Sequence, residues 1–308
     1  MALVLKAPPS WATRPAERGL PMRLAILGLL VFMGAATAAR AEEAVTLSAD
    51  PVPIIRAEIN GHPVRLEVDL RMPDMLVLNP DAAERLGVRR VPFVSAAAAL
   101  DDSRIRGRVA RPRIVFADGG DMRAITGIFN VPATSRADGI IGPGALPFDI
   151  VTVALAPGSA AEREIAIPLR NADIWEGRTS LAGVEVKFSF DLANAATTFN
   201  RTASARLDEA GAIAADGAHT ETPMVLGLRA QTQPVRTALT IEGLPLNPGV
   251  ARTRAPLLGA LDEESIVVVG EGEPPPPNVW VGRQALAGCS SVSVDRRARR
   301  MILRCAAG

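Results

Sequence analysis

The sequence predicts an all-β protein built as two similar lobes with a cleft between them. Three observations carry that expectation. First, the chain repeats itself at one fixed offset: Gly61-His62-Pro63-Val64-Arg65-Leu66-Glu67-Val68-Asp69-Leu70 aligns with Gly183-Val184-Glu185-Val186-Lys187-Phe188-Ser189-Phe190-Asp191-Leu192. The match resumes with one residue dropped, so that Asn79, Arg85 and Leu86 meet Asn200, Arg206 and Leu207, and a separate third match pairs Gly142…Leu146 with Gly282…Leu286. Second, apolar residues alternate with polar ones before each aspartate, the period-two pattern of a half-buried strand. Third, turn residues are frequent and long helical patterns are missing. A duplicated unit with one Asp per copy places two carboxylates where a pair can act together.

The elements follow in order. Arg14, Arg18 and Arg23 precede an apolar run from Leu24 to Met33 and small residues ending Ala39-Arg40-Ala41. Charged region, short apolar region and A-x-A site in that order read as a signal peptide over 1–41, with Met22 as an alternative start, leaving a mature chain from near Glu42. The apolar run is shorter than the roughly 20 residues a membrane span needs. A first lobe spans 42–157, with strands through Val64–Val68 and Met75–Leu78, a short helix over Pro80–Leu86, and further strands over Arg113–Ala117, Met122–Phe129 and Ile150–Leu155. Pro80 and Asp81 mark that helix start and Gly87 its stop. A flap hairpin is expected over Arg104–Phe116, made mobile by Gly107. Residues 158–178 read as the connection between lobes.

The second lobe, 179–308, repeats the series. It has a strand into Asp191, a strand at Thr197–Phe199, a helix over Arg201–Leu207, and strands over Met224–Leu228, Val235–Ile241, Ile266–Val269 and Val279–Val281. Pro274–Pro277 is a stiff spacer. Ser290–Asp295 and Arg300–Arg304 form a closing hairpin about Arg296-Arg297-Ala298-Arg299, which sets Cys289 and Cys305 opposite each other. Export to an oxidising compartment, periplasmic or secreted, favours a disulfide between them.

Composition excludes several functions. Lys+Arg at 34 against Asp+Glu at 33 leaves no net basic field, so neither nucleic acid nor, once the signal is removed, a membrane is an expected partner. Tyr is absent and aromatics make up 4%, which leaves no stacking platform for bases. Two isolated histidines, His62 and His219, support neither a metal site nor a Ser-His-Asp set. No phosphate-cradling glycine pattern occurs, and no metal or other cofactor is expected.

Ile59-Asn60-Gly61, the alternating run into Asp69, Leu76-Val77-Leu78-Asn79, Ala82-Ala83-Glu84-Arg85-Leu86-Gly87 and Asp138-Gly139-Ile140-Ile141-Gly142 resemble the retropepsin-like aspartic peptidases, over about Val45 to Leu155. The second copy keeps the strand, the Asp, the helix and Gly282, over about Thr179 to Leu303. The resemblance implies a two-lobed acid-protease fold, a polypeptide substrate or ligand, and Asp69 and Asp191 as the catalytic pair. With both lobes in one chain, a monomer suffices.

The active-site turn departs from the family. Where such proteins carry Asp-Thr-Gly or Asp-Ser-Gly, this chain has Asp69-Leu70-Arg71 and Asp191-Leu192-Ala193. The hydroxyl that pins the two turns and the glycine that admits a close backbone are both replaced. A working dyad shares one proton between two carboxyls. An arginine reaching that pair favours the doubly ionised form. Leu70, Arg71, Asp74, Leu192, Ala193 and Asn194 are therefore the expected cleft-lining residues around the candidate dyad. The expected function is a catalytically impaired, exported peptidase-like protein that binds extended peptides. An active aspartic endopeptidase and a β-rich structural or assembly protein are the alternatives. Trp280 reads as core, and Trp175, near the interlobe connection, as a cover for apolar surface.

Overall fold

The alternation at residues 64–68 and 184–190 does produce strands, and the chain is all-β. The computed structural model describes residues 2–6, 43–100, 103–158, 161–170, 175–224, 226, 228–253, 257–258, 267–269 and 275–307. Among them only two α-helices occur, Pro80–Arg85 and Arg201–Glu209. The leader read between Arg14 and Ala41 lies outside the described residues, as does Ile266. Ala2–Lys6 form a strand antiparallel to Ser95–Ala99, and no described helix is long and apolar enough to cross a membrane.

Sequence duplication corresponds to duplicated topology. One sheet carries, side by side, Ser103–Ala110, Thr126–Ile128, Leu76–Leu78, Gly139–Ile141, His62–Val68 and Ile54–Ile59. A second carries Leu228–Thr237, Gly249–Arg252, Thr197–Phe199, Asn278–Gly282, Val184–Asp191 and Gly177–Leu181. Neighbour by neighbour, the pairings have the same sense in both. Each aspartate-bearing strand runs parallel to the glycine-containing strand beside it, His62–Val68 to Gly139–Ile141 and Val184–Asp191 to Asn278–Gly282.

A third sheet joins the halves. Ile150–Ala154 pairs antiparallel with Cys289–Asp295, and Ala44–Ser48 lies parallel to Ile150–Ala154. On the other side Glu162–Pro168 is separated from Cys289–Asp295 by Arg300–Ala306, which pairs antiparallel with both. The segment read as a connection, 158–178, thus contributes a strand. One apolar core runs through both halves, with Leu66, Leu76 and Val151 from the first and Phe188, Phe199 and Val281 from the second.

Two pairs of equivalent residues hold each half in shape. A Cβ on Gly142 would run into the carbonyl of Pro73, and one on Gly282 into the backbone of Ala195 and Ala196. The loop after each aspartate is therefore pressed against a glycine that nothing larger can replace. Asn79 and Asn200 precede the two helices and are buried. Asn79 receives the amide of Ala133 and donates to the carbonyls of Thr134 and Ala137. Asn200 receives the amides of Ala203 and Asn278 and donates to Pro276. Each stitches a helix start to the segment entering the glycine strand.

Several local expectations differ. Met122–Phe129 is two short strands, Asp121–Arg123 and Thr126–Ile128, with different partners. Val235–Ile241 divides between Leu228–Thr237 and Thr240–Ile241. The long hairpin is formed by Arg90–Leu100 and Ser103–Ala110, while Arg113–Phe116 turns away to pair with Ile54–Ile59. Four consecutive alanines at 96–99 obscure that first strand, because Ala has poor β propensity. Gly107 serves close packing rather than mobility: a Cβ there would sit 2.6 Å from both the Ile128 carbonyl oxygen and the Phe129 ring.

Cys289 and Cys305 are cross-strand partners joined by a disulfide. Their sequence separation is 16 residues, so the chain-entropy argument assigns the bridge about 3 kcal/mol. Replacing both by Ser is expected to lower unfolding free energy by about that amount, read from urea unfolding with m fitted separately, since the uncrosslinked unfolded chain exposes more surface. Gly142→Ala is expected to cost at least about 3 kcal/mol by the same measurement, because its obstruction is backbone and cannot rotate aside.

Candidate functional site

Each aspartate stands where its strand ends, held by the glycine strand alongside. The Asp69 amide donates to the Ile141 carbonyl at 3.1 Å, and Asp191 lies in register with Gly282. The two turns have the same local geometry. Asp69 Oδ1 accepts the Arg71 amide at 2.9 Å, and Asp191 Oδ1 accepts the Ala193 amide at 3.0 Å. The same two-residue offset in both copies satisfies one oxygen of each carboxylate from its own turn.

Arg71 brings the halves together. Its Nε donates to Asp69 Oδ1 at 2.9 Å and its Nη2 to Asp69 Oδ2 at 2.7 Å, a bidentate fork. Its Nη1 donates to Asp191 Oδ2 at 2.6 Å. Asn194 completes the second carboxylate, its amide donating to Oδ1 at 3.1 Å and its Nδ2 to Oδ2 at 2.7 Å. Asp191 consequently accepts four hydrogen bonds, about the full capacity of an ionised carboxylate. Every one of those contacts uses Asp191 as an acceptor.

The electrostatics agree. Burial pushes Asp69 up, but the charge and hydrogen bonds of Arg71 outweigh it and hold the carboxyl below its ordinary value. Arg71 is opposed by its own burial, yet Asp69 and Asp191 raise it further above its already high value. The ion pair with Arg71 thus favours the ionised form of Asp69. With side chains 8% and 2% exposed, the aspartates are desolvated, whereas Arg71 at 20% still faces the cavity. Three of its five N–H groups are engaged here, which leaves two for a ligand.

The cavity over this triad has a volume of about 600 Å³, within the usual range for ligand sites. Arg71, Ala193 and Asn194 line it as expected, together with both aspartates. Leu70 and Leu192 do not: they are buried in the joint core, where apolar packing holds the turns. Asp74 is exposed and lies outside the cavity wall.

Other wall residues escaped sequence reading. Glu67 falls on the polar phase of its strand and reads as solvent-facing, yet it is 3% exposed. The Thr134–Arg136 loop covers it: Thr134 Oγ1 donates at 2.6 Å, Arg136 Nε donates at 3.1 Å, and Arg136 Nη2 pairs with Oε1. A strand flanked closely on both faces buries its polar side too, which period alone does not reveal. Met224 and Leu226 reach the cavity from the second half and pack with Met72, Met75 and Phe129 of the first. Trp280 lines the cavity and is stacked by buried Arg252, 5.5 Å from the ring centroid. Trp175 is fully buried. Both histidines are exposed, and no group of His, Cys, Asp and Glu among the described residues could hold a metal ion.

Compared with known proteins, the chain matches no family model and no curated sequence.

Removing Arg71 is expected to leave two buried carboxylates facing each other uncompensated. Arg71→Met should therefore cost about 3–5 kcal/mol near neutral pH. The pH dependence should also change sign. In the wild type, Asp69 has a depressed folded-state pKa, so its stabilisation is complete above about pH 4 and is lost as pH falls through the folded value. In the variant, like-charge repulsion and burial raise one carboxyl, so stability should increase as pH falls from 7 towards 4. Urea titrations across that range check it, and an unchanged slope would contradict the assignment.

Proposed function

We propose that this chain is an exported, retropepsin-like protein whose two aspartates act as an ionised lock between lobes, and whose cleft binds extended polypeptide without cutting it. One observation carries the reading: a guanidinium occupies the space between Asp69 and Asp191. Peptide hydrolysis by such a pair needs one carboxyl to hold a proton for the carbonyl oxygen and the other to activate water. Here the cation favours loss of that proton, and each pKa unit of displacement costs about 1.4 kcal/mol against the active state. Asp191 Oδ2 already accepts from Arg71 and Asn194, so a water would have to displace one of them to reach it.

What remains suits recognition. The two uncommitted N–H groups of Arg71 can donate to backbone carbonyls of an extended chain, while Met224, Leu226 and Trp280 offer apolar contact for alternate side chains. The duplicated strand order supports the two-lobed acid-protease architecture, with lobes over 42–157 and 179–308. The disulfide is compatible with delivery to an oxidising compartment, periplasmic or secreted. Function as a monomer without cofactor belongs to the same proposal.

The test incubates the protein with unfolded casein over roughly pH 3–7, the range in which a shared carboxylate proton could persist. Asp69→Asn and Asp191→Asn run alongside. No cleavage by any of the three is expected. Extended apolar peptides should bind the wild type by fluorescence anisotropy, and at least tenfold more weakly to Met224→Asp, a loss of about 1.4 kcal/mol. Cleavage that disappears in both Asn variants would overturn the reading in favour of a working endopeptidase. Absence of both cleavage and peptide binding would leave the cleft without a role and favour a structural protein.

A further inference from the structure

The near-zero net charge hides a strongly basic hairpin. Between residues 89 and 113 the sequence has seven arginines and only two acidic residues, Asp101 and Asp102. Arg89, Arg90, Arg106, Arg108 and Arg111 are exposed. Among the described residues, none of these five has an ion pair or hydrogen bond of its side chain, in contrast to Arg113, which pairs with Asp121. Ser95 lies opposite Arg108 and Ala97 opposite Arg106. The outer face of the hairpin therefore presents long cations over a floor of small residues.

At the base of this face the strand departs from register. Arg90 pairs with Ala110 and Ser95 with Arg108, so the intervening residues on one strand are opposed by far fewer on the other. The surplus, Val91-Pro92-Phe93-Val94, bulges out. Phe93 is 98% exposed at φ +62, and Val91 beside it is 36% exposed. A bulky side chain in the left-handed region is strained, and strain of this kind persists at functional positions. Here it turns an aromatic ring out into water. Single exposed apolar residues are ordinary; a strained one flanked by the cations Arg89, Arg90, Arg108 and Arg111 is not.

We propose that this hairpin docks on an anionic lipid surface, with Phe93 and Val91 entering the headgroup boundary and the arginines meeting lipid phosphates. The combination of a protruding apolar bulge and surrounding positive charge suits a bilayer, which offers an apolar interior beneath a negative plane. An acidic polypeptide would satisfy the arginines and leave Phe93 in water. The proposal replaces the expectation, drawn from overall charge, that the mature chain ignores membranes, and it is independent of what the cleft binds.

The test puts a reporter in the bulge itself, so that the apolar leader cannot supply the signal. Full-length Phe93→Trp is mixed with phosphatidylglycerol–phosphatidylcholine vesicles and its emission compared with that of the parent chain. Expected are a blue shift at position 93, quenching by brominated lipid, and no response to pure phosphatidylcholine. Arg90→Gln with Arg108→Gln in the same background should weaken partitioning about 25-fold, at roughly fivefold per arginine. Unchanged circular dichroism confirms that the hairpin variants fold. Emission from position 93 that stays put while the chain still floats with vesicles overturns the proposal. So does a shift produced equally by poly-glutamate, which would make the partner an acidic chain.

Discussion

Three charged groups sharing one desolvated space constrain everything around the cleft. Asp69, Asp191 and Arg71 are joined through the guanidinium by hydrogen bonds of 2.6–2.9 Å. Taking such groups out of water is costly, and attraction between them offsets that cost only when the geometry is good and every remaining lone pair is met. Two carboxylates against one cation leave an excess of negative charge, and the amides of Arg71, Ala193 and Asn194 with the Asn194 side chain absorb it. The halves cannot separate, and neither turn can relax, without stranding a charge. The same cation lowers the Asp69 pKa, so the contact that joins the turns and the ionisation of Asp69 have one cause.

That arrangement is delivered by an apolar scaffold which is indifferent to it. Gly142 and Gly282 let the post-aspartate loops lie against their neighbouring strands, and Asn79 and Asn200 fasten the helices behind them. Leu70 and Leu192 enter the common core. These features are matched between halves, whereas the cavity walls are not. Glu67 with Arg136 stands in the first copy where the second has Ser189, and Met224 and Leu226 line the cavity from the second copy. A symmetric frame with unlike walls gives the proposed peptide cleft a direction.

Charge shows the same contrast between sum and placement. The chain is nearly neutral, yet the hairpin from Arg90 to Ala110 concentrates cations that no described acidic side chain answers. Field at a surface depends on what lies within about a Debye length, roughly 10 Å, and not on the total. Composition is therefore a poor guide to what this surface can meet.

The paired strands, the two aspartates, the short helices after them and the cysteine pairing were legible because each depends on local period, turn chemistry or repetition. Arg90–Leu100 was not, since its alanines carry no strand signal, and Glu67 was misplaced because period two cannot tell a covered face from an open one. Sequence by itself determined that two matched strands each end on an aspartate followed by leucine, with arginine next in one copy and alanine in the other. Only the tertiary structure decided where the Arg71 side chain goes. Its direction depends on a partner 120 positions further along the chain, and a contact that long-range is set by how the halves pack rather than by any neighbour in sequence.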